Sequence, residues 1–281
     1  MRYPVVVGID GSAHAWQGLD WAGEHAELHG LGLRLVHASR VLARDGAFSE
    51  EVHRHLEAER TDLLKEARQY ALRQRPGLDI ETVLRADEPG HALVTESEDA
   101  SLVAVGARGI GGFEELLFGS VGLHVAAHAL CPVLVVPRAA SHPSGAPAEI
   151  VVGVDGRHSE TRLLEWAFQE AALRGARLVA VHAMGGEFGS PHQRMVEDME
   201  LSEALAGWAE RFPDVPVTPV VADKTPAQAL VSASEKAALV VVGAHERHGW
   251  MGMALGRVNH AVLHHARCPA VVVPAGAPAH D

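Results

Sequence analysis

Short, nearly unbroken apolar runs alternate along the chain with longer stretches whose apolar residues recur every three or four positions. The first run, Pro4 to Asp10, reads as a strand buried on both faces. The stretch after it sets Leu19, Ala22, Ala26 and Leu28 among its apolar helical positions and stops at Gly30. Arg34 to Ala38 predicts a second strand. A polar stretch through Ser49 leads into a long charged helix over about Glu51 to Arg75, ended by Pro76-Gly77. Ile80 to Leu84 is a third strand, and Pro89 opens a helix at its first turn. Leu102 to Gly106 is the fourth strand. A glycine-rich loop spans Ala107 to Phe118, a helix starts near Gly119-Ser120, and Val133 to Val136 is the fifth strand.

The same pattern then runs a second time. Val5 to Ala38 reappears as Ile150 to Ala183, and Leu102 to Pro137 as Leu239 to Pro274. Matched positions include Asp10 with Asp155, Trp21 with Trp166, Gly106 with Gly243, and Cys131-Pro132 with Cys268-Pro269. The repeat offset falls from 145 residues (Gly8 to Gly153) to 137 (Gly106 to Gly243), so the second copy lacks eight residues between its second and fourth strands. Duplication of this kind decides the domain count and lets one half be read against the other. The order βαβαβαβαβ with short connections predicts a parallel sheet covered by helices on both faces. We therefore expect two tandem doubly wound α/β domains, 1–138 and 149–275. The Pro-, Ala- and Ser-rich segment 139–148 is the expected linker.

Composition narrows the function. A chain of 281 residues suffices for two domains that each bury a core. No apolar run approaches the ~20 residues that cross a bilayer, and the opening MRYPVVVGID reads as a strand start rather than a signal peptide. Membrane partners are not expected. The two cysteines sit in equivalent places before a Pro and a strand. They read as small buried residues in a protein of the reducing cytoplasm. The formal charge of -12 repels a phosphate backbone and argues against nucleic acid. Nineteen histidines are no metal signal in themselves. His124 and His128, like His260 and His264, are four apart on a helix, but no third ligand is visible, so no metal site is assigned to them.

Candidate chemistry gathers where first and fourth strands end, the switch point at which an open parallel sheet receives ligands. Asp10 ends strand one. Gly106 ends strand four and begins GARGIGGFEELLFGS: Gly106, two residues, Gly109, nine residues, Gly119, then Ser120. Glycines let backbone N–H groups approach an anion with no Cβ in the way. Gly119-Ser120 opens a helix whose unpaired N–H groups favour phosphate. Ser120 adds a hydroxyl, and Arg108 is in place to add a positive charge. Asp10 has an alternative reading as a turn or capping residue.

This spacing, with the VVVGIDGS opening and the CPVLVVP tail, resembles the universal stress protein family over nearly the whole chain, as two tandem copies. The resemblance implies strand order 3-2-1-4-5, the adenine nucleotide alpha hydrolase-like arrangement. It implies ATP, with Mg²⁺, in the first domain. Gly106, Gly109, Gly119 and Ser120 would line the phosphates, Asp10 the ribose or a metal-associated region, and the backbone near Ala38 the adenine. It further implies a role in stress response or signalling, packing of the two domains through their fifth strands, and a homodimer of chains.

The second copy departs from the motif. Glu246 replaces the second glycine and Arg257 the Ser/Thr. Two unit charges ~4 Å apart at an effective dielectric of ~20 repel by about 4 kcal/mol, so Glu246 opposes a phosphate there. Arg257 pulls the other way. The expectation is one good nucleotide site per chain, with Asp155 a structural remnant. No G-x4-G-K-[ST] loop, strand-anchored G-x-G-x-x-G, serine elbow or catalytic dyad can be assigned, so no catalytic residue is named. Two other functions stay open: a nucleotide-independent interaction scaffold and a slow ATP-hydrolysing enzyme.

Overall fold

The structure is a computed structural model, and it describes residues 3–41, 49–109, 119–137, 148–155, 160–185, 190–244 and 255–275. The chain divides into two compact units, Met1–Arg138 and Ala139–Asp281. In the first, β1 (Val5–Gly8), β2 (Leu33–Ala38), β3 (Ile80–Arg85), β4 (Leu102–Gly106) and β5 (Val133–Val136) form a parallel sheet in the order β3-β2-β1-β4-β5. The second unit uses β6 (Glu149–Gly153), β7 (Arg177–Ala183), β8 (Val217–Ala222), β9 (Leu239–Gly243) and β10 (Ala270–Val273) in the matching order β8-β7-β6-β9-β10. Each is the expected 3-2-1-4-5 sheet. Val5, Val6 and Val7 have no exposed surface, nor do Ile150, Val151 and Val152, which is why the central strands read as continuous apolar runs rather than alternating ones.

Helix ends follow local chemistry. Helix α1 (Ala13–His29) is capped by Ser12, whose hydroxyl accepts from Ala15 N–H at 3.2 Å, and Gly30 ends it at φ 62°. Ser49 caps α2 (Glu50–Gln74). The Glu88 carboxylate accepts from the N–H groups of Gly90 and His91 at the start of α3 (Pro89–Glu96). A short helix, α4 (Ser120–His128), precedes β5. The second unit repeats the set as α5 (Thr161–Arg174), α6 (Pro191–Arg211), α7 (Pro226–Ala233) and α8 (Arg257–His265), with capping boxes at Ser190 and Thr225. Half of the eight-residue deletion is one helical turn, since α2 has 25 residues and α6 has 21. The long charged helix is α2, and most of it faces solvent: only Leu64, Ala67 and Ala71 are buried, and His55–Glu59 and Lys65–Asp62 pair along the outside.

The two repeat-equivalent tryptophans part company. Trp21 is buried, but Trp166 is only half-buried, and Phe168 fills the space under α5 against Trp208 and Phe212. Both cysteines are buried and unpaired, and burial pushes each thiol up to about 12. A thiol at that value carries almost no thiolate at neutral pH. Native protein is therefore expected to give no reaction with a thiol-specific chromogen over minutes, and two thiols per chain once denaturant is added. Rapid labelling of either cysteine in the native state contradicts this.

Candidate functional site

The first unit builds its site from three strand ends. Ile9 is still in the ladder, its N–H donating to Val36 O, and the chain then turns at Asp10. Asp10 Oδ1 accepts from Ser12 N–H at 2.9 Å, which is the turn that launches α1. The Ser12 hydroxyl does double duty. It caps α1 and also donates to Arg108 O at 3.3 Å, tying the start of the first helix to the loop after β4. Gly109 lies against Asp10 so closely that a Cβ there would overlap Asp10 Oδ2. Asp10, Arg108 and Gly109 are thus brought together, in keeping with the motif's spacing.

The other glycines divide by role. A Cβ on Gly106 would sit 2.6 Å from the His14 carbonyl carbon, because α1 crosses the end of β4 there. Gly106 therefore serves helix-on-sheet packing, a reason that motif reading does not supply. Gly119 N–H donates to Ala107 O at 2.7 Å and closes the base of the loop. Gly119 is also the N-cap of α4, and among the described residues no side chain caps that helix. Gly119 lies beside Arg108 and Gly109, and exposed Ser120 is the first residue of α4. Loop residues 110–118 lie outside the described residues. Ala38, at the end of β2 and paired with Arg85, is half-buried two strands from the loop.

His37 joins the site without any motif to announce it. It is 6% exposed, its Nδ1–H donates to Ile9 O at 2.7 Å, and its buried Nε2 meets no hydrogen-bond partner among the described residues. Burial pulls its pKa below the ordinary 6.5, the Ile9 carbonyl and Asp10 oppose, and Arg60 on α2 adds to the lowering. Its one signal in the sequence is the repeat, since Val-His-Ala ends both second strands. In the second unit the equivalent His182 donates to Val154 O and meets Glu197 Oε2 at 2.9 Å. A depressed histidine fixes the sign of a pH effect. Between the folded value and 6.5 the unfolded chain binds the extra proton, so stability falls as pH drops below 6.5. Replacing His37 by Gln is expected to flatten the decline in melting temperature on acidification from neutral pH. An unchanged slope would remove His37 from the account.

At the matching place in the second unit lies a cavity of about 690 Å³, lined among others by Asp155, Arg162, His182, Ala183, Gly243 and Arg257. Asp155 N–H donates to Glu160 Oε1 at 2.6 Å, and Asn259 Nδ2 donates to Gly243 O at 3.0 Å. A Cβ on Gly243 would meet only Leu163 Cδ2, at 3.6 Å, so this glycine is not pressed by its helix as Gly106 is. Glu246 lies outside the described residues. The rings of the two histidine pairs lie close, His124 tilted against His128 at 4.5 Å and His260 stacked on His264 at 4.3 Å. His128 Nδ1–H is spent on His124 O. No helix of the described residues is long and apolar enough to cross a membrane.

Comparison with known proteins agrees with this architecture. The family model described as "Universal stress protein family" matches residues 1–137 and 148–274. Universal stress protein Rv2623 of Mycobacterium tuberculosis is 38% identical over 289 residues, covering 95% of each chain. Universal stress protein Rv2005c of the same organism is 35% identical over 291 residues, covering 96% of this chain and 97% of that one. Among solved structures, a universal stress protein from Archaeoglobus fulgidus superposes with a TM-score of 0.75 at 20% identity. It covers 97% of this chain and 96% of its own, a likeness of fold.

Proposed function

The chain belongs to the universal stress protein family, and we propose that its first unit binds ATP and uses the bound state in stress signalling rather than in rapid catalysis. One observation carries this reading. Asp10, Ser12, the Arg108 carbonyl and Gly109 are cross-linked at the switch point, beside a helix whose N-terminus has no side-chain cap. Peptide N–H groups at Gly109 and at the start of α4 offer a polyphosphate fixed dipoles at little reorganisation cost. Gly109, Gly119 and Ser120 take the phosphates, Arg108 supplies charge, and the backbone at Ala38 borders the adenine. Gly106, with no Cβ, lets α1 lie close on the end of β4.

Mg²⁺ fits the donor set. Asp10 Oδ2 is a hard oxygen facing Gly109, where the phosphates would run, and Mg²⁺ pairs one or two carboxylates with phosphate oxygens. Asp10 would hold the ion, and the ion would offset the repulsion between carboxylate and phosphate. Two buried thiols of high pKa suit a reducing cytoplasm.

Thermal unfolding tests the proposal. A ligand that binds only the native state at a hundred times its Kd adds about 2.7 kcal/mol of stability. MgATP at millimolar concentration is expected to raise the melting temperature by several degrees, and AMP by less, because it leaves most of the loop unfilled. No shift with any adenine nucleotide would favour an interaction scaffold instead.

A further inference from the structure

The outer side of α6 carries an apolar patch that stays uncovered among the described residues. Met195 is 53% exposed, Val196 38% and Met199 65%, and the two methionines are the most exposed large apolar side chains described. The other sides of the helix are committed to their own unit. Leu201 and Leu205 are buried, and Glu197 meets His182 of β7. Arg194 pairs with Asp223 and donates to Val221 O on the edge strand β8, while Arg211 pairs with Glu165 of α5. Successive helical residues turn by about 100°. Passing from Glu197 at β7 through Arg194 at β8 therefore leads on to Met195 and Met199, on the side of α6 beyond the sheet edge.

The repeat shows that the fold does not require this patch. Helices α2 and α6 end at Arg75 and Phe212, 137 residues apart like Gly106 and Gly243. At that offset Met195, Val196 and Met199 stand where the first unit has Ala58, Glu59 and Asp62. Ser202 stands where it has Lys65, the partner of Asp62. One unit spends these positions on solvated charge. The other spends them on a cluster rich in methionine, whose unbranched side chain adapts to irregular partner surfaces.

Charge decides what covers the patch. Asp198, Glu200 and Glu203 border it, and Glu210 lies further along the helix. All four are exposed and make no ion pair among the described residues, whereas both arginines of α6 are spent on their own unit. A second copy of this chain would set the same carboxylates against these, and an anionic lipid surface would be repelled by them. Strand addition alongside is blunted, since Arg194 occupies Val221 O and Pro219 of β8 has no N–H.

We propose that the outer side of α6 docks a cationic amphipathic helix of a partner protein. The partner's apolar stripe lies on Met195, Val196 and Met199, and its lysines or arginines reach Asp198, Glu200 and Glu203. The site is independent of the nucleotide reading of the first unit.

Fluorescence anisotropy on the full chain tests this. The probe is a labelled peptide of about five helical turns, with leucines on one face and lysines flanking them. A second peptide carries glutamates in place of the lysines. The lysine peptide is expected to bind at micromolar concentration, less tightly as salt rises. The glutamate peptide is expected to bind about tenfold more weakly or not at all. The triple variant Met195→Ala, Val196→Glu and Met199→Asp copies the first unit. It adds negative charge, so attraction by charge alone would tighten the lysine peptide. Docking on the patch instead predicts a loss of about tenfold or more, because burying one methionine is worth at least that factor. A melting curve reports whether the triple variant is folded. If it is not, Glu200→Lys with Glu203→Lys takes its place and is expected to reverse the preference between the two peptides. A lysine peptide that does not bind, that binds the triple variant as tightly as wild type, or that is matched by the glutamate peptide overturns the proposal. So does a double variant that keeps the wild-type preference. A wild-type dimer in sedimentation that the triple variant splits would make the patch an interface between copies and overturn it as well, as would retention on phosphatidylserine vesicles that the variant loses.

Discussion

Replacing Arg34 by Val and Arg85 by Ala together is expected to cost the first unit about 3–5 kcal/mol, because the pair of changes strands a buried carboxylate. Glu96, at the end of α3, has a side chain only 3% exposed. Arg34 Nη1 donates to it at 3.0 Å and Arg85 Nε at 2.7 Å, and Arg34 also pairs with Glu81 on the neighbouring strand. Burial works against the Arg34 charge, yet the hydrogen bonds to Glu81 and Glu96 carry its pKa above the ordinary value. The second unit shows that the fold does not need this network. At the equivalent positions it has Val179, Thr218, Ala222 and Ala233. Adding Glu96→Ala to the double variant is therefore expected to return most of the loss, since an apolar replacement of a whole buried ion cluster is commonly neutral. Glu96→Ala alone should cost less than the double variant, because Arg34 keeps Glu81 and the half-exposed Arg85 turns to solvent. Calorimetric melting checks the order: a fall of about 10 °C or more for the double variant and a clear recovery in the triple. A triple variant less stable than the double would show that the network is required rather than dispensable.

The second large effect concerns ligand. Gly109→Glu is expected to reduce ATP affinity by about a hundredfold or more. A carboxylate ~4 Å from a phosphate at an effective dielectric of ~20 repels by about 4 kcal/mol, and every 1.4 kcal/mol is about tenfold. Sterics add to this, since even the Cβ would displace Asp10 Oδ2 and with it the proposed magnesium ligand. Gly119→Ala provides the contrast. Its Cβ would come no closer than 3.4 Å to Ala107 O, so its loss should be within about tenfold. Equilibrium dialysis with labelled ATP separates the two. Equal, modest effects at both positions would mean that Gly109 serves only loop flexibility.

Much of this protein is legible in the order of its residues. Continuous valine runs mark strands covered on both faces, and the repeat of Val5–Ala38 in Ile150–Ala183 requires two domains of one topology. The glycine spacing points to the ends of β1 and β4, which do meet through Ser12 and Gly109. Gly106 stands out in the chain for an incomplete reason. It falls in a ligand motif, but a Cβ at this position would come within 2.6 Å of His14 of α1. His37 stands out only through the repeat of Val-His-Ala, because a histidine in an apolar strand carries no spacing signal of its own.

What the sequence by itself determined is therefore the local order: which segments are strands, which residues begin and end helices, and that the pattern occurs twice. Those features depend on apolar periodicity and on capping groups within a few residues, so they survive in a linear reading. The tertiary structure decided what each unit's switch point can hold. Helix α1 begins at Ala13 and presses on Gly106, whereas α5 begins only at Thr161, the equivalent of Trp16, and leaves Gly243 uncrowded. In one unit the histidine's Nε2 meets no partner among the described residues, and in the other it pairs with Glu197. Such differences arise where side chains from distant segments converge, and their free energies turn on separations of an ångström or less, which no spacing along the chain encodes.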